Sequence, residues 1–234
     1  LKTAFLPKIT IGAASKLTGF REAERVLTQL YHDNYFTEKR YQPEMIYQYH
    51  PLFRQFLLDR GREEYEPAAI TRLQSAAAEI LEGSGQVEAA AELHIAGADW
   101  ARLSRLALRR AQSLCAQGRA KTLESWLSRV PDAMKVENPR LLFWEGTCRM
   151  PYDLRKSRDI LEQAYKIFKH RKDIAGIYLA WSGIINTFVY EWSDFTPLDR
   201  WIEEMERQLR EFPKFPSPEV EAHVTAGMFC ALMY

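Results

Sequence analysis

A short sequence pattern that recurs four times is the feature that most constrains the fold of this chain. Each copy consists of an apolar residue, an acidic residue, a variable residue and two residues that are apolar or small. The copies begin at Val87, Leu123, Leu161 and Leu198, which lie 36, 38 and 37 residues apart. A period of this length is typical of stacked helix pairs and lies between the tetratricopeptide and HEAT-type lengths. The recurrence therefore predicts a tetratricopeptide-like superhelix of α-helical repeats.

The first helix of each pair is predicted from apolar residues at spacings of three and four. These helices cover residues 70–81, 100–116, 141–150 and 177–190. Within each copy of the pattern, the first, fourth and fifth positions are expected to share a buried face. The acidic residue is expected to face solvent near the start of the second helix, where its charge favours the helix dipole.

The region before residue 63 has a different pattern, which predicts a winged-helix module. Helical spacing covers residues 11–18 and 20–32, and Gly19 separates the two. Residues 35–49 are rich in β-branched and aromatic side chains around a polar stretch with Pro43, which indicates a short β-hairpin. Pro51 then opens a further helix. The predicted fold is mainly α, with a winged helix at residues 1–62 and the repeat array at residues 63–234.

The composition indicates a folded protein of the reducing cytoplasm. Its 32 basic and 31 acidic side chains nearly cancel, so no strong overall field attracts nucleic acid or a membrane. The three cysteines are far apart in sequence, which argues against both a disulfide framework and a zinc site. The longest apolar stretch, residues 176–190, is too short to span a bilayer. The chain begins without a methionine and stops within an apolar stretch, so we expect both ends to be cut from a longer polypeptide and the repeat array to be truncated at its C-terminus.

A family resemblance rests on the segment at residues 47–58, which reads YQYHPLFRQFLL. It resembles the YRYHPLFxxFL segment of LuxR-type transcription regulators related to the maltose-regulon activator, which are large signal-transduction ATPases. Further similar segments include HIAGADW at residues 94–100 and TLESWL at residues 122–127. The resemblance covers residues 17–139, and Gln48 departs from it because arginine is common there.

The resemblance implies a longer protein with three further properties. A nucleotide-binding domain that holds ATP or ADP would precede the winged helix, and a C-terminal helix-turn-helix would bind DNA. The array would sense a small-molecule inducer or a regulatory protein. No Gly-Lys dipeptide occurs in this chain, so a phosphate-binding loop is missing and the fragment is expected to be neither an enzyme nor a cofactor carrier.

His50 is the candidate nucleotide-sensing residue that the resemblance implies. A winged-helix histidine in related switch ATPases faces the nucleotide phosphates, and an imidazole can donate to a phosphate oxygen. The alternative is a histidine that caps the following helix or is hydrogen-bonded within the module. Direct DNA binding by the helix at residues 20–32 is disfavoured, because residues 20–34 carry two basic and three acidic side chains.

Two side-chain stripes are candidates for binding an effector or a partner. The basic stripe could hold an anion, or could be an ordinary solvated face; it comprises Arg102, Arg105 and Arg109. The aromatic stripe could line a groove inside the array, or could pack between repeats; it comprises Tyr178, Trp181 and Phe188.

The sequence thus predicts a regulatory and sensor fragment that couples effector or partner binding by the array to a nucleotide switch. Two alternatives stay open. One is a helical scaffold that binds other proteins without a nucleotide switch. The other is a DNA-binding winged helix with a helical dimerisation tail. No spacing of carboxylates, histidines or cysteines suggests a catalytic or metal site.

Overall fold

The computed structural model of the chain describes residues 1–42 and 44–233. Pro43, which the sequence places within the hairpin, and Tyr234 lie outside the described residues. The chain divides into two compact units, Leu1–Arg102 and Leu103–Tyr234. Each unit has its own core, so each is described by itself.

The first unit contains a three-stranded antiparallel sheet. Strands β2 (Thr37–Gln42) and β3 (Glu44–Tyr49) form the predicted hairpin. A third strand, β1 (Ile9–Thr10), pairs with the other edge of β3 and gives the order β1-β3-β2. Along β3, Tyr47 and Tyr49 point into the core and Gln48 between them is exposed, as the two-residue period of a strand requires.

Five α-helices accompany this sheet within the first unit. They are α1 (Ile11–Thr18), α2 (Ala23–His32), α3 (Pro51–Glu64), α4 (Pro67–Gly83) and α5 (Val87–Ala96), preceded by a short 3-10 helix at Lys2–Phe5. Capping residues explain where α1 begins and ends. The Thr10 hydroxyl accepts a hydrogen bond from the Ala13 amide at 3.2 Å, and Gly19 ends the helix with a left-handed φ of 71°. The predicted order of helix, helix, hairpin and helix is confirmed.

The tyrosines of β3 join the sheet to the surrounding elements. The Tyr47 hydroxyl lies 2.8 Å from that of Thr28 on α2, and the Tyr49 hydroxyl lies 2.8 Å from that of Thr3. The Arg54 guanidinium on α3 donates to the carbonyl of Ala4 at 2.7 Å. Burial raises the pKa of Tyr49, so its hydroxyl stays protonated and available for hydrogen bonding.

Helix α6 (Trp100–Ala116) has the bounds that the sequence predicts. The remaining helices of the second unit are α7 (Ala120–Leu127), α8 (Asp132–Glu137), α9 (Arg140–Arg149), α10 (Leu154–Arg171), α11 (Ile174–Glu191), α12 (Leu198–Glu211) and α13 (Pro218–Leu232). The predicted first helices at residues 141–150 and 177–190 correspond to α9 and α11. Sequence reasoning assigned neither α8 nor α13 individually.

The recurring pattern marks the second helix of each pair. The apolar positions of its second and third copies are all buried: Leu123, Trp126 and Leu127 in α7, and Leu161, Ala164 and Tyr165 in α10. The prediction that the acidic position faces solvent holds for Asp199 and is wrong for Glu124. The Glu124 carboxylate pairs with Arg149 on α9 and its side chain is only 15% exposed, because the neighbouring helix supplies a partner that the sequence period does not reveal.

The core of the second unit lies between α10, α11, α12 and α13. Glycines allow these helices to approach closely. A Cβ atom on Gly176 of α11 would lie 2.2 Å from the ring of Phe168 on α10, and one on Gly227 of α13 would lie 2.8 Å from Trp181. Helix α11 is consequently covered on more than one side, and 11 of its 18 residues are buried.

The predicted fold class is therefore confirmed, with a small three-stranded sheet followed by a helical array. The tetratricopeptide-like subtype and the boundary at residues 62 and 63 stay predictions. No helix in the described part of the chain is long and apolar enough to cross a membrane.

Candidate functional site

A groove in the second unit is the strongest candidate for a binding site. It has a volume of about 340 Å³. Its walls come from α6, α9, α11 and α13, and its lining residues include Gln112, Phe143, Trp144, Leu179, Asn186 and His223. Three of these helices, α6, α9 and α11, are the first members of their predicted pairs. The first helices of three predicted pairs thus line one groove.

The groove combines an aromatic wall with a few polar groups. The rings of Phe143 and Trp144 lie 5.3 Å apart in an edge arrangement on α9. Asn186 on α11 and Gln112 on α6 add amides, and His223 on α13 adds an imidazole. Apolar surface with few orienting polar groups is typical of small-ligand and peptide sites. Glu219 on α13 adds a carboxylate, and no lysine or arginine among the described residues lines the groove. Its chemistry therefore disfavours an anionic ligand.

Two small residues of α11, Ser182 and Gly183, line the groove. The Ser182 hydroxyl donates to the carbonyl of Tyr178 at 2.8 Å, which holds this side chain against its own helix. Gly183 has no side chain, and a Cβ atom there would lie 3.1 Å from Leu161 of α10. Asn186 follows one turn later and is the larger polar side chain on this wall.

A second cavity continues the groove along the ends of α9 and α11. It has a volume of about 560 Å³ and shares Thr147 and Met150 with the groove. Two exposed tyrosines, Tyr152 and Tyr190, form its far side. The Lys121 ammonium lies 5.6 Å from the Tyr152 ring centroid, which holds this ring by a cation–π contact. An elongated ligand could therefore occupy both cavities.

The predicted aromatic stripe of α11 lies in the core and not along this groove. Tyr178 and Trp181 are fully buried, and Phe188 is nearly so. The Tyr178 hydroxyl donates to the carbonyl of Phe212 at 2.7 Å, and the Trp181 indole donates to that of Trp201 at 2.8 Å. These contacts favour the packing interpretation, and an effector-binding role for the stripe stays a prediction. Sequence reasoning missed the groove residues, which on α11 are Leu179, Ser182, Gly183 and Asn186.

The predicted basic stripe lies along α6. Arg102 pairs with Glu79 at 3.0 Å and with Asp99 at 3.3 Å, so neighbouring carboxylates already satisfy its charge. Arg105 and Arg109 are exposed, and Gln112 is the residue of α6 that reaches the groove. Exposed arginines are typical of a solvated helix face. Anion binding by Arg102, Arg105 and Arg109 stays a prediction.

His50 is exposed at the junction between β3 and α3. Its Nδ1 accepts a hydrogen bond from the Leu52 amide at 3.3 Å, so it caps the first turn of α3. Its ring lies 6.4 Å from that of Phe36. Leu52 and Phe56, on the first two turns of α3, are exposed large apolar residues. The cap uses one ring nitrogen, which leaves Nε2 for another partner.

The helix predicted at the position of a DNA-reading helix begins at Ala23 and ends at His32. Arg25, one of its few basic residues, pairs with Glu22 at 2.7 Å. A cation that already pairs with a carboxylate has less charge to offer a phosphate. Among the described residues there is also no group of three or more histidine, cysteine, aspartate or glutamate side chains that could hold a metal ion.

Comparison with known proteins assigns the start of the chain. Residues 1–69 match the family model of the MalT winged helix domain. The match includes the sheet, α1, α2, α3 and His50. No curated protein and no solved structure matches the chain. The first residues of this chain are thus similar to the winged helix of a MalT-like regulator.

Proposed function

We propose that this chain is the winged-helix and sensor segment of a bacterial MalT-like transcription regulator, and that the groove of its second unit binds the activating effector. The observation that carries the sensor role is this groove, in which four helices converge on an aromatic wall with amides, an imidazole and a carboxylate. The match at residues 1–69 supports the link to a regulator.

Effector binding acts by favouring one of two states of the longer protein. A ligand that contacts α6, α9, α11 and α13 together stabilises the arrangement of helices that it fits. In this proposal an upstream domain of the same protein holds ATP or ADP, and DNA is bound through a further domain. The segment described here is a non-catalytic, cytoplasmic part that senses and transmits.

The sensor proposal is tested by ligand screening against the chain. We expect that compounds from a library of small amphipathic molecules and short peptides bind the wild type in calorimetry. We expect Trp144→Ala to weaken binding at least about tenfold, or about 1.4 kcal/mol, because the ligand loses its aromatic wall. The matched control is Trp192→Ala, an exposed tryptophan outside the groove. Equal affinities for both variants, or no binder in the whole library, would contradict the proposal.

A substitution of His50 tests the proposed nucleotide switch. Asparagine is a good helix N-cap, so His50→Asn preserves the start of α3 while it removes the imidazole. In the full-length protein that contains this chain, we expect ADP to dissociate about tenfold faster, since a hydrogen bond to a charged phosphate contributes about 1.5–3 kcal/mol. His32→Asn, at the exposed end of α2, is the control. Unchanged ADP release with unchanged stability would leave His50 as a helix cap only.

A further inference from the structure

Two of the three cysteines are neighbours in the structure although 33 positions separate them in the sequence. Cys115 lies in the last turn of α6 and Cys148 lies in the last turn of α9. Their sulfur atoms are 3.7 Å apart and are joined by a hydrogen bond, and both thiols are free. The sequence alone suggested no pairing of these cysteines, so their proximity is known only from the structure.

The two thiols are chemically unequal. Cys148 is completely buried, whereas Cys115 is partly exposed. The hydrogen bond from the Cys148 thiol lowers the pKa of Cys115. The same bond, together with burial, raises the pKa of Cys148. A partly exposed cysteine with a lowered pKa beside a buried thiol is the arrangement of a reactive cysteine and its resolving cysteine.

We propose that Cys115 and Cys148 form a reversible disulfide when the protein meets a hydroperoxide. The Cys115 thiolate attacks the peroxide, an S–O bond forms, the O–O bond breaks, and the released oxide takes a proton. The Cys148 sulfur then attacks the sulfenic acid on Cys115. The S–S bond forms, the S–O bond breaks, and hydroxide leaves with the Cys148 proton as water. A dithiol reverses the reaction by thiol–disulfide exchange.

The structure brings the sulfur atoms within reach of this bond. A disulfide requires about 2.05 Å between the sulfurs, so the pair must close by about 1.7 Å, which rotation of two side chains in last helical turns can supply. The new bond links α6 to α9. Gln112, one turn before Cys115, and Thr147, beside Cys148, line the groove. An effect of oxidation on ligand binding rests on the proposed function, whereas the chemistry of the cysteines does not.

The test measures oxidation without any ligand. The purified chain is treated with dilute hydrogen peroxide, free thiols are blocked with N-ethylmaleimide, and intact mass and peptide maps are recorded. We expect the wild type to lose two hydrogen atoms and to yield a Cys115–Cys148 crosslinked peptide that dithiothreitol cleaves. Cys230→Ser, which removes the third thiol, is expected to behave in the same way.

Single variants separate the two roles. In Cys148→Ser we expect the sulfenic acid on Cys115 to persist and to be trapped by dimedone, and in Cys115→Ser we expect Cys148 to stay unmodified because it is buried. The proposal is overturned if Cys115 reacts no faster than Cys230 in the wild type, or if oxidation yields no Cys115–Cys148 peptide. Circular dichroism of each variant checks that the helices are intact.

Discussion

Glu204 on α12 shows how a single buried carboxylate joins two helices. It accepts hydrogen bonds from the Tyr165 hydroxyl at 2.6 Å and from the Lys169 ammonium at 2.5 Å, both on α10. Arg207 adds an ion pair at 2.7 Å. Burial alone would raise the pKa of Glu204, but the hydrogen bonds from Lys169 and Tyr165 outweigh burial and hold this pKa below its ordinary value of 4.5.

A lowered pKa makes the second unit sensitive to acid. The charged Glu204 contributes stability above pH 4.5, and this contribution is lost as the pH falls through the lower pKa of the folded state. We expect Glu204→Gln to cost about 1.5–3 kcal/mol at pH 7 and to lose less stability than the wild type between pH 5 and about pH 3. Urea unfolding at each pH measures both effects. The exposed neighbour provides the control Glu203→Gln, and a similar loss in both variants would contradict this role for Glu204.

Among the helices, α11 depends on residues without side chains where it crosses its neighbours. Gly176 faces the Phe168 ring of α10 and Gly183 faces Leu161 of the same helix. In an exposed helix, alanine stabilises relative to glycine by up to about 1 kcal/mol. At this crossing the methyl group of an alanine at position 176 would enter the Phe168 ring. Packing therefore decides whether the substitution stabilises or destabilises the protein.

We therefore expect Gly176→Ala to destabilise the protein by about 1–3 kcal/mol, because an overpacked core forces side chains and backbone to shift. Gly12→Ala in α1 is the matched control, since nothing lies within 4 Å of a Cβ atom there. That substitution is expected to be neutral or to stabilise by up to about 1 kcal/mol. Thermal unfolding, monitored by circular dichroism, compares the two variants. A stabilising Gly176→Ala would show that α10 and α11 can separate at no cost.

The position of α11 could be predicted from the sequence, but the face that it presents to the groove could not. Its bounds, Ile174–Glu191, extend the predicted 177–190 by a few residues. A helix that is apolar on all sides gives no periodic signal for which side is covered. The largest aromatics, Tyr178 and Trp181, entered the core, and the smaller Ser182 and Asn186 line the groove.

At the scale of the whole chain, features local in sequence were predictable and features that join distant residues were not. Gly19, Pro51 and the recurring pattern fixed the order of the helices and the hairpin. The pairing of Cys115 with Cys148 and of Arg102 with Glu79 depends on how helices pack, which the sequence period does not encode. Strand β1 has two residues, too few to produce an alternating pattern.

The order of packing in the second unit also has a consequence for its synthesis. Helix α9 packs on α10, and α10 packs on α11, so these neighbours in space are neighbours along the chain. Contacts between nearby segments close small loops, which lowers the entropic barrier to folding. A nascent chain leaving the ribosome can thus consolidate α9, α10 and α11 one after another. Helix α13, which packs against α11, joins this core only after α12 has also emerged.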